Sequence, residues 1–150
     1  MKIPEITDFT KQEPPEQDLD AYQAWTSFKG LDRDAAFEKF CSHPEFFAED
    51  FFWMGSGAFC YYFPVLDRYM REVEVVQNGF DGEAESIGRS LGHQFQLDSS
   101  ALSSVRVQAE ALCDFVIDGL SRLPEGSTFQ PVNEILDTWK EAKSYLVTTR

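Results

Sequence analysis

Basic residues are scarce in this sequence. Its 13 lysines and arginines stand against 26 aspartates and glutamates, which gives a formal net charge of −13 at pH 7. The excess is largest in residues 1–50, where twelve acidic side chains accompany five basic ones. Such a field repels phosphate backbones and anionic lipid surfaces and attracts cations. The charge therefore argues against nucleic acid and membranes as partners and favours a basic protein.

Long apolar runs are also absent. A membrane-spanning helix needs roughly 18 or more consecutive apolar residues, whereas the most apolar block, between Asp50 and Asp67, is divided by Gly55, Ser56 and Gly57. A membrane-spanning segment is therefore not expected. The N-terminus has a single lysine, Lys2, and no apolar segment after it, which is untypical of a secretory signal. We expect a cytoplasmic protein.

Histidine and cysteine, which supply many metal ligands and nucleophiles, are few. Cys41, Cys60 and Cys113 form no C-x-x-C pair, and each stands beside apolar residues, as buried reduced thiols do. His43 and His93 lie far apart, and no zinc, calcium-loop or P-loop motif occurs. We therefore expect no catalytic residue, no metal site and no cofactor, and predict that the protein is not an enzyme. A hydrolase built on two carboxylates stays open, because acidic pairs are too abundant for their spacing to be diagnostic.

Strand patterns are nearly missing, whereas apolar residues recur every three or four positions along much of the chain. Asp32 is placed to cap a helix, and Pro64 predicts a kink or a break in another. We predict an all-α fold, a single compact domain of five to seven helices with short connections, over residues 19–150. The clearest apolar stripe predicts a central helix and consists of Leu102, Val105, Ala109, Leu112, Val116, Leu120 and Leu123.

The first eighteen residues are expected to differ from the rest. They contain Pro4, Pro14 and Pro15 among acidic residues, and few residues of the kinds that form a core. We therefore predict an extended, loosely ordered, acidic N-terminal arm over residues 1–18.

Aromatic residues are concentrated between Phe46 and Phe63, where half of the positions are Phe, Tyr or Trp. Large rings can anchor short helices that lack a long apolar seam. Alternatively, four of them could form a pocket that stacks a flat ligand, namely Trp53, Phe59, Tyr61 and Tyr62. Stacking platforms for nucleic acid also carry positive charge, and between Gly30 and Val65 only two basic residues occur. The core interpretation is therefore favoured.

The segment from Trp53 to Pro64, WMGSGAFCYYFP, resembles one shared by a family of small bacterial proteins of unassigned function. In that family a short W-M-G-like turn leads to an A-F-x-Y-Y-x-P helix, and the resemblance covers about residues 37–71. Small acidic proteins of this sort are often the immunity partners of bacterial toxins. The resemblance therefore implies a toxin-neutralising role, and it transfers no catalytic residue.

Charge and resemblance together predict an immunity or antitoxin-type protein that binds a basic toxin enzyme through an acidic surface. An adaptor for a partner that is not an enzyme is a further alternative. The alternative is a small enzyme or ligand-binding domain that uses the aromatic block as its pocket; the oligomeric state is left open. The acids also fit a solvated surface and helix caps. The predicted partner-binding residues are Asp18, Asp20, Asp32, Asp34, Glu45, Glu49, Asp50 and Trp53.

Overall fold

The computed structural model describes residues 1–72, 82–124 and 131–148, and in these ranges the chain is helical without strands. Eight α-helices occur in the described ranges, one more than the upper end of the prediction, because a short helix forms near the N-terminus. Two 3-10 helices, Pro15–Gln17 and Ser100–Val105, join them. The α-helices are α1 (Ile6–Phe9), α2 (Leu19–Phe28), α3 (Arg33–Ser42), α4 (Pro44–Trp53), α5 (Ser56–Arg68), α6 (Gly82–Asp98), α7 (Arg106–Ser121) and α8 (Val132–Thr148).

Side-chain caps explain where α2 and α3 begin. The carboxylate of Asp18 accepts a hydrogen bond from the amide of Ala21 at 3.3 Å, and that of Asp32 accepts one from Ala35 at 2.8 Å. Each carboxylate pairs with an amide that has no partner within the first turn of its helix. The predicted cap at Asp32 is confirmed.

The N-terminal segment is not the extended, loosely ordered arm that the sequence predicted. Residues 6–9 form α1, and Phe9 is only 1% exposed. Its ring packs edge-on against Trp25, with centroids 5.5 Å apart, and lies 6.3 Å from the ring of Tyr62. The expectation was wrong because one large buried ring is enough to fix a short segment whose composition is otherwise polar.

Helix α5 continues through Pro64, where the sequence predicted a kink or a break, and the break does not occur. Pro64 is exposed, so its ring points away from the core. The residues on either side of it, Phe63 and Val65, are buried. Packing of the buried face holds the helix together in spite of the missing backbone donor.

Helix α6 packs against α4 and α8, and α7 packs in turn against α8. The buried core continues from there through α2, α3 and α5. Trp139 of α8 is fully buried, and its indole nitrogen donates to the main-chain oxygen of Ala84, 2.9 Å away. The predicted apolar stripe is buried, apart from the partly buried Leu123, but it does not form one central helix. Leu102 and Val105 lie in the 3-10 helix Ser100–Val105, α7 begins only at Arg106, and α6 rather than α7 packs against both α4 and α8. Within the described residues, none of the helices combines the length and the apolarity that crossing a membrane requires.

At Gly55 the backbone of the N-terminal segment comes close to the backbone at the start of α5. Its amide donates to the main-chain oxygen of Phe9 at 2.8 Å, and a Cβ atom at Gly55 would lie 2.6 Å from the main-chain oxygen of Asp8. We expect Gly55→Ala to lower the free energy of unfolding by about 1–2 kcal/mol. The added methyl group would collide with main-chain atoms, which cannot move aside as a flexible side chain can. Urea denaturation measures the change, with Ser56→Ala as the neighbouring control. Equal stability of the two variants would contradict this packing of α1.

Candidate functional site

A groove beside α2 and α4 gathers acidic and aromatic side chains, and it is called the acidic groove below. Its volume is about 340 Å³. Three of its residues, Glu45, Glu49 and Trp53, are spaced by four along α4 and therefore share one face of that helix. Five of the eight predicted partner-binding residues line it. The lining consists of Asp20, Gln23, Glu45, Phe46, Glu49, Asp50 and Trp53.

Asp50 is the unusual residue of the acidic groove. Its side chain lines the groove although the residue is only 5% exposed, and within the described chain its Oδ2 atom has no hydrogen-bond partner. Burial raises the pKa of Asp50 to about 6, against smaller opposing effects of the Ser27 hydroxyl and the Lys39 ammonium. A buried carboxylate with one oxygen unpartnered is costly, because water no longer solvates its charge.

The cation near Asp50 is engaged elsewhere. The Lys39 ammonium donates to the main-chain oxygen of Ser27 and lies 5.5 Å from the centre of the Phe47 ring. Between described residues, Lys39 forms no ion pair within 4 Å with any carboxylate. Lys39 therefore offsets only part of the cost of ionising Asp50.

The rim of the acidic groove is also negative. Glu45 and Glu49 on α4 and Asp20 on α2 are all exposed. The carboxylate of Glu45 reaches toward the start of α6, where a Cβ atom at Gly82 would lie 3.2 Å from its Oε1. Like charges four residues apart on a helix repel each other, and Glu49 further raises the pKa of Asp50. A cation bound in the groove would relieve both effects.

Two rings of the aromatic block face solvent at the acidic groove, whereas most of the block is core. Phe46 is 59% exposed and Trp53 is 42% exposed. Trp53 packs edge-on against Phe52, with ring centroids 4.7 Å apart. The buried rings of the block are Phe47, Phe51, Phe59, Tyr61, Tyr62 and Phe63. The core interpretation is therefore confirmed for these six, and Phe46 is a groove residue that sequence reasoning missed.

A stacking pocket that uses Phe59, Tyr61 and Tyr62 is accordingly wrong. The hydroxyl of Tyr62 donates to the main-chain oxygens of Phe28 and Leu31, at 2.9 and 2.8 Å. These bonds provide the partner that a buried tyrosine hydroxyl requires. Tyr62 therefore ties the end of α2 to α5 and is not available to a ligand.

The remaining predicted site residues lie outside the acidic groove. Asp18 caps α2 and also accepts a hydrogen bond from the Thr10 hydroxyl at 3.0 Å. Asp32 caps α3, and Asp34, also in the first turn of α3, is 3.9 Å from the guanidinium of Arg68. None of the three lines the groove. Helix capping accounts for Asp18 and Asp32 without any partner.

A second cavity, of about 750 Å³, adjoins the turn at Gly55 and shares Trp53 with the acidic groove. His93 of α6 lies in its wall, stacked on Phe52 with centroids 3.9 Å apart, and burial lowers the pKa of this imidazole. Asp8 and Asp18 also line the cavity. No local sequence pattern points to His93, because its neighbours in this wall come from distant parts of the chain.

The cysteines show no sign of activation. Cys60 and Cys113 are buried and Cys41 is partly buried, and all three thiols are free. Burial raises the pKa of each of these thiols, which favours the unreactive protonated form. Within the described residues, no three His, Cys, Asp or Glu side chains are grouped as a metal site requires.

Comparison with known proteins finds no matching family model, and no match among the curated proteins or the solved structures. The acidic groove and the second cavity are therefore interpreted from their own geometry and chemistry.

Proposed function

We propose that this protein is a binder of the immunity or antitoxin type, which neutralises a toxin enzyme by covering its basic surface with the acidic groove. The observation that carries the proposal is the placement of four carboxylates, those of Asp20, Glu45, Glu49 and Asp50, around one groove flanked by exposed rings. The net charge of −13 extends the same field over the whole molecule.

The two kinds of side chain have different roles in such an interface. Exposed carboxylates steer a basic partner and raise the association rate. Desolvated aromatic side chains near the centre of an interface contribute most to its lifetime. The rings of Phe46 and Trp53 supply this second component, because they are exposed beside the carboxylates.

The test of the proposal is co-expression with basic toxin enzymes encoded beside the gene for this protein. Rescue of growth together with a stable purified complex is the expected result. If the protein binds none of these enzymes, at low salt and with purified components, the proposal is wrong.

Reversing two charges of the groove is expected to slow association with the toxin. We expect the double variant Glu45→Lys and Glu49→Lys to lower the association rate constant about tenfold at low salt, and the difference to shrink as salt screens the charges. Stopped-flow fluorescence measures the rate. The matched control is Glu134→Lys with Asp137→Lys, at exposed positions of α8. An equal loss in both double variants would mean that net charge, and not the groove, directs association.

A ligand-binding or enzymatic role is the second candidate, and the second cavity favours it. Its volume is in the range of small-molecule sites, about 300–1,000 Å³, and its wall holds a histidine and carboxylates. Saturable binding of a small molecule, detected as a shift of the His93 imidazole signals in NMR spectra, would support this function. The absence of any such shift across a metabolite library, with the toxin bound normally, would reject it.

A further inference from the structure

We propose that the acidic groove is a receptor for one arginine side chain of the partner protein, whose guanidinium pairs with Asp50 and packs against Trp53. This inference rests on the proposed function, because it names the chemistry of the partner at the same groove. The unpaired Oδ2 of a residue that is 95% buried is the observation that points to an occupant.

The carboxylates of the acidic groove favour a cation with several donors. Asp50 offers a buried oxygen, while Glu45, Glu49 and Asp20 offer exposed ones around the rim. A guanidinium carries five N–H donors in one plane, so it can bond to Asp50 and to a rim carboxylate at once. An ammonium is a compact point charge and fits a single acceptor cluster.

The exposed rings strengthen the choice of arginine. Trp53 and Phe46 line the same groove as Asp50, and a guanidinium stacks on aromatic faces while it remains bonded at its edge. Arginine is also more weakly hydrated than lysine, so moving it to a buried carboxylate costs less. Within the described residues, the carboxylates do not converge on one point as a metal site requires. This arrangement also favours a guanidinium, whose donors are spread over a plane, over a metal ion.

The size of the groove fits one side chain. At about 340 Å³ it lies at the lower end of the range for small-molecule sites. Lys39 approaches Asp50 from α3 but donates to Ser27, so the groove holds no competing ion pair between described residues. The Ser27 hydroxyl on α2 hydrogen-bonds to the Asp50 carboxylate, and Oδ2 is left without a partner. The partner's arginine therefore meets a carboxylate that has no cationic partner in the fold and one oxygen without a hydrogen bond.

The experiment uses three short peptides that are identical except for a central arginine, lysine or citrulline, added to the full chain. Binding is followed by NMR through the Trp53 indole N–H and the Asp50 side-chain carboxyl carbon. We expect saturable shifts of both signals with the arginine peptide, at least threefold weaker affinity with lysine, and no saturable shift with citrulline. Equal binding of arginine and lysine, or binding of citrulline, would overturn the proposal.

Two variants separate the contact between Asp50 and the guanidinium from non-specific attraction of a cationic peptide to an acidic protein. Asp50→Asn is expected to lower the affinity for the arginine peptide at least about tenfold, because the charged partner of the guanidinium is lost. Asp137→Asn makes the same chemical change at an exposed position of α8 and is expected to leave the affinity within twofold of the parent. Unchanged affinity in Asp50→Asn, with an otherwise native spectrum, would contradict the role of Asp50.

Measurements of toxin binding distinguish failure of the arginine inference from failure of the proposed function. If Asp50→Asn binds the toxin with the parent's dissociation rate while the Glu45 and Glu49 charge-reversal variant associates slowly, the arginine inference is wrong and the function stands. If no toxin is bound but the arginine peptide is, the groove chemistry is right and the proposed function is wrong.

Discussion

Replacing Gln94 by glutamate is expected to lower the free energy of unfolding by about 3 kcal/mol at pH 7. The amide nitrogen of Gln94 is buried and lies 2.9 Å from the main-chain oxygen of Phe51, 3.3 Å from that of Phe52 and 2.7 Å from that of Met54. These carbonyls stand at the end of α4, where the helix supplies no partner. A carboxylate would place a negative charge against three acceptors and remove both donors, which costs more than a lost neutral bond.

The pH dependence of this variant is a further check. The carbonyls raise the pKa of the introduced carboxyl group, and its protonated form donates one hydrogen bond. Part of the lost stability should therefore return as the pH falls toward the ordinary glutamate pKa of about 4.3. Urea denaturation at pH 4 and pH 7 measures both effects. The control is Gln96→Glu, the same change at an exposed position of α6. A loss of the same size in both variants would show that Gln94 does not hold the end of α4.

The role of Gln94 bears on the proposed function through Trp53, the last residue of α4. If the end of the helix loosens, the ring at the edge of the acidic groove loses its fixed position. We therefore expect a variant at Gln94 that still folds to release a bound toxin faster. Gln94 is a positioning residue in this sense, since it does not line the acidic groove itself.

Local patterns predicted the helices well because their causes are local. The stripe from Leu102 to Leu120 needs only regular spacing, and the cap at Asp32 needs only the residues that follow it. The N-terminal helix depends instead on contacts of Phe9 with rings far along the chain. Composition alone therefore misjudged that segment.

The candidate site was predictable to the extent that it lies on one helix. Glu45, Glu49 and Trp53 share a face of α4, so their proximity follows from helical spacing. The burial of Asp50 and the position of Asp20 depend on how α2 packs against α4. Sequence reasoning therefore named five residues that line the groove, missed Phe46 and Gln23, and did not distinguish the buried Asp50 from the exposed carboxylates around it.

Removing the charge of Asp50 is expected to stabilise the isolated protein and to weaken its binding. The pKa of this carboxyl group is about 6 in the folded chain, above its ordinary value of 3.8. The folded state therefore holds the proton more tightly than the unfolded state, and the stabilisation from the protonated form is complete below about pH 4. It is lost as the pH rises through 6. Asp50→Asn should therefore raise the free energy of unfolding by about 2 kcal/mol at pH 8, and by much less at pH 4.

Urea denaturation at pH 4, 6 and 8 measures this difference, with Asp137→Asn, the same change at an exposed position of α8, as the control. The full pKa shift corresponds to about 3 kcal/mol, and the smaller figure allows for the cost of burying the amide of asparagine. A loss of stability at pH 8 would mean that the interactions of the carboxylate with Ser27 and Lys39 outweigh the cost of burying its charge in the free protein. A gain in stability combined with weaker binding of the toxin would show that the charge of Asp50 destabilises the free protein and strengthens its binding to the partner.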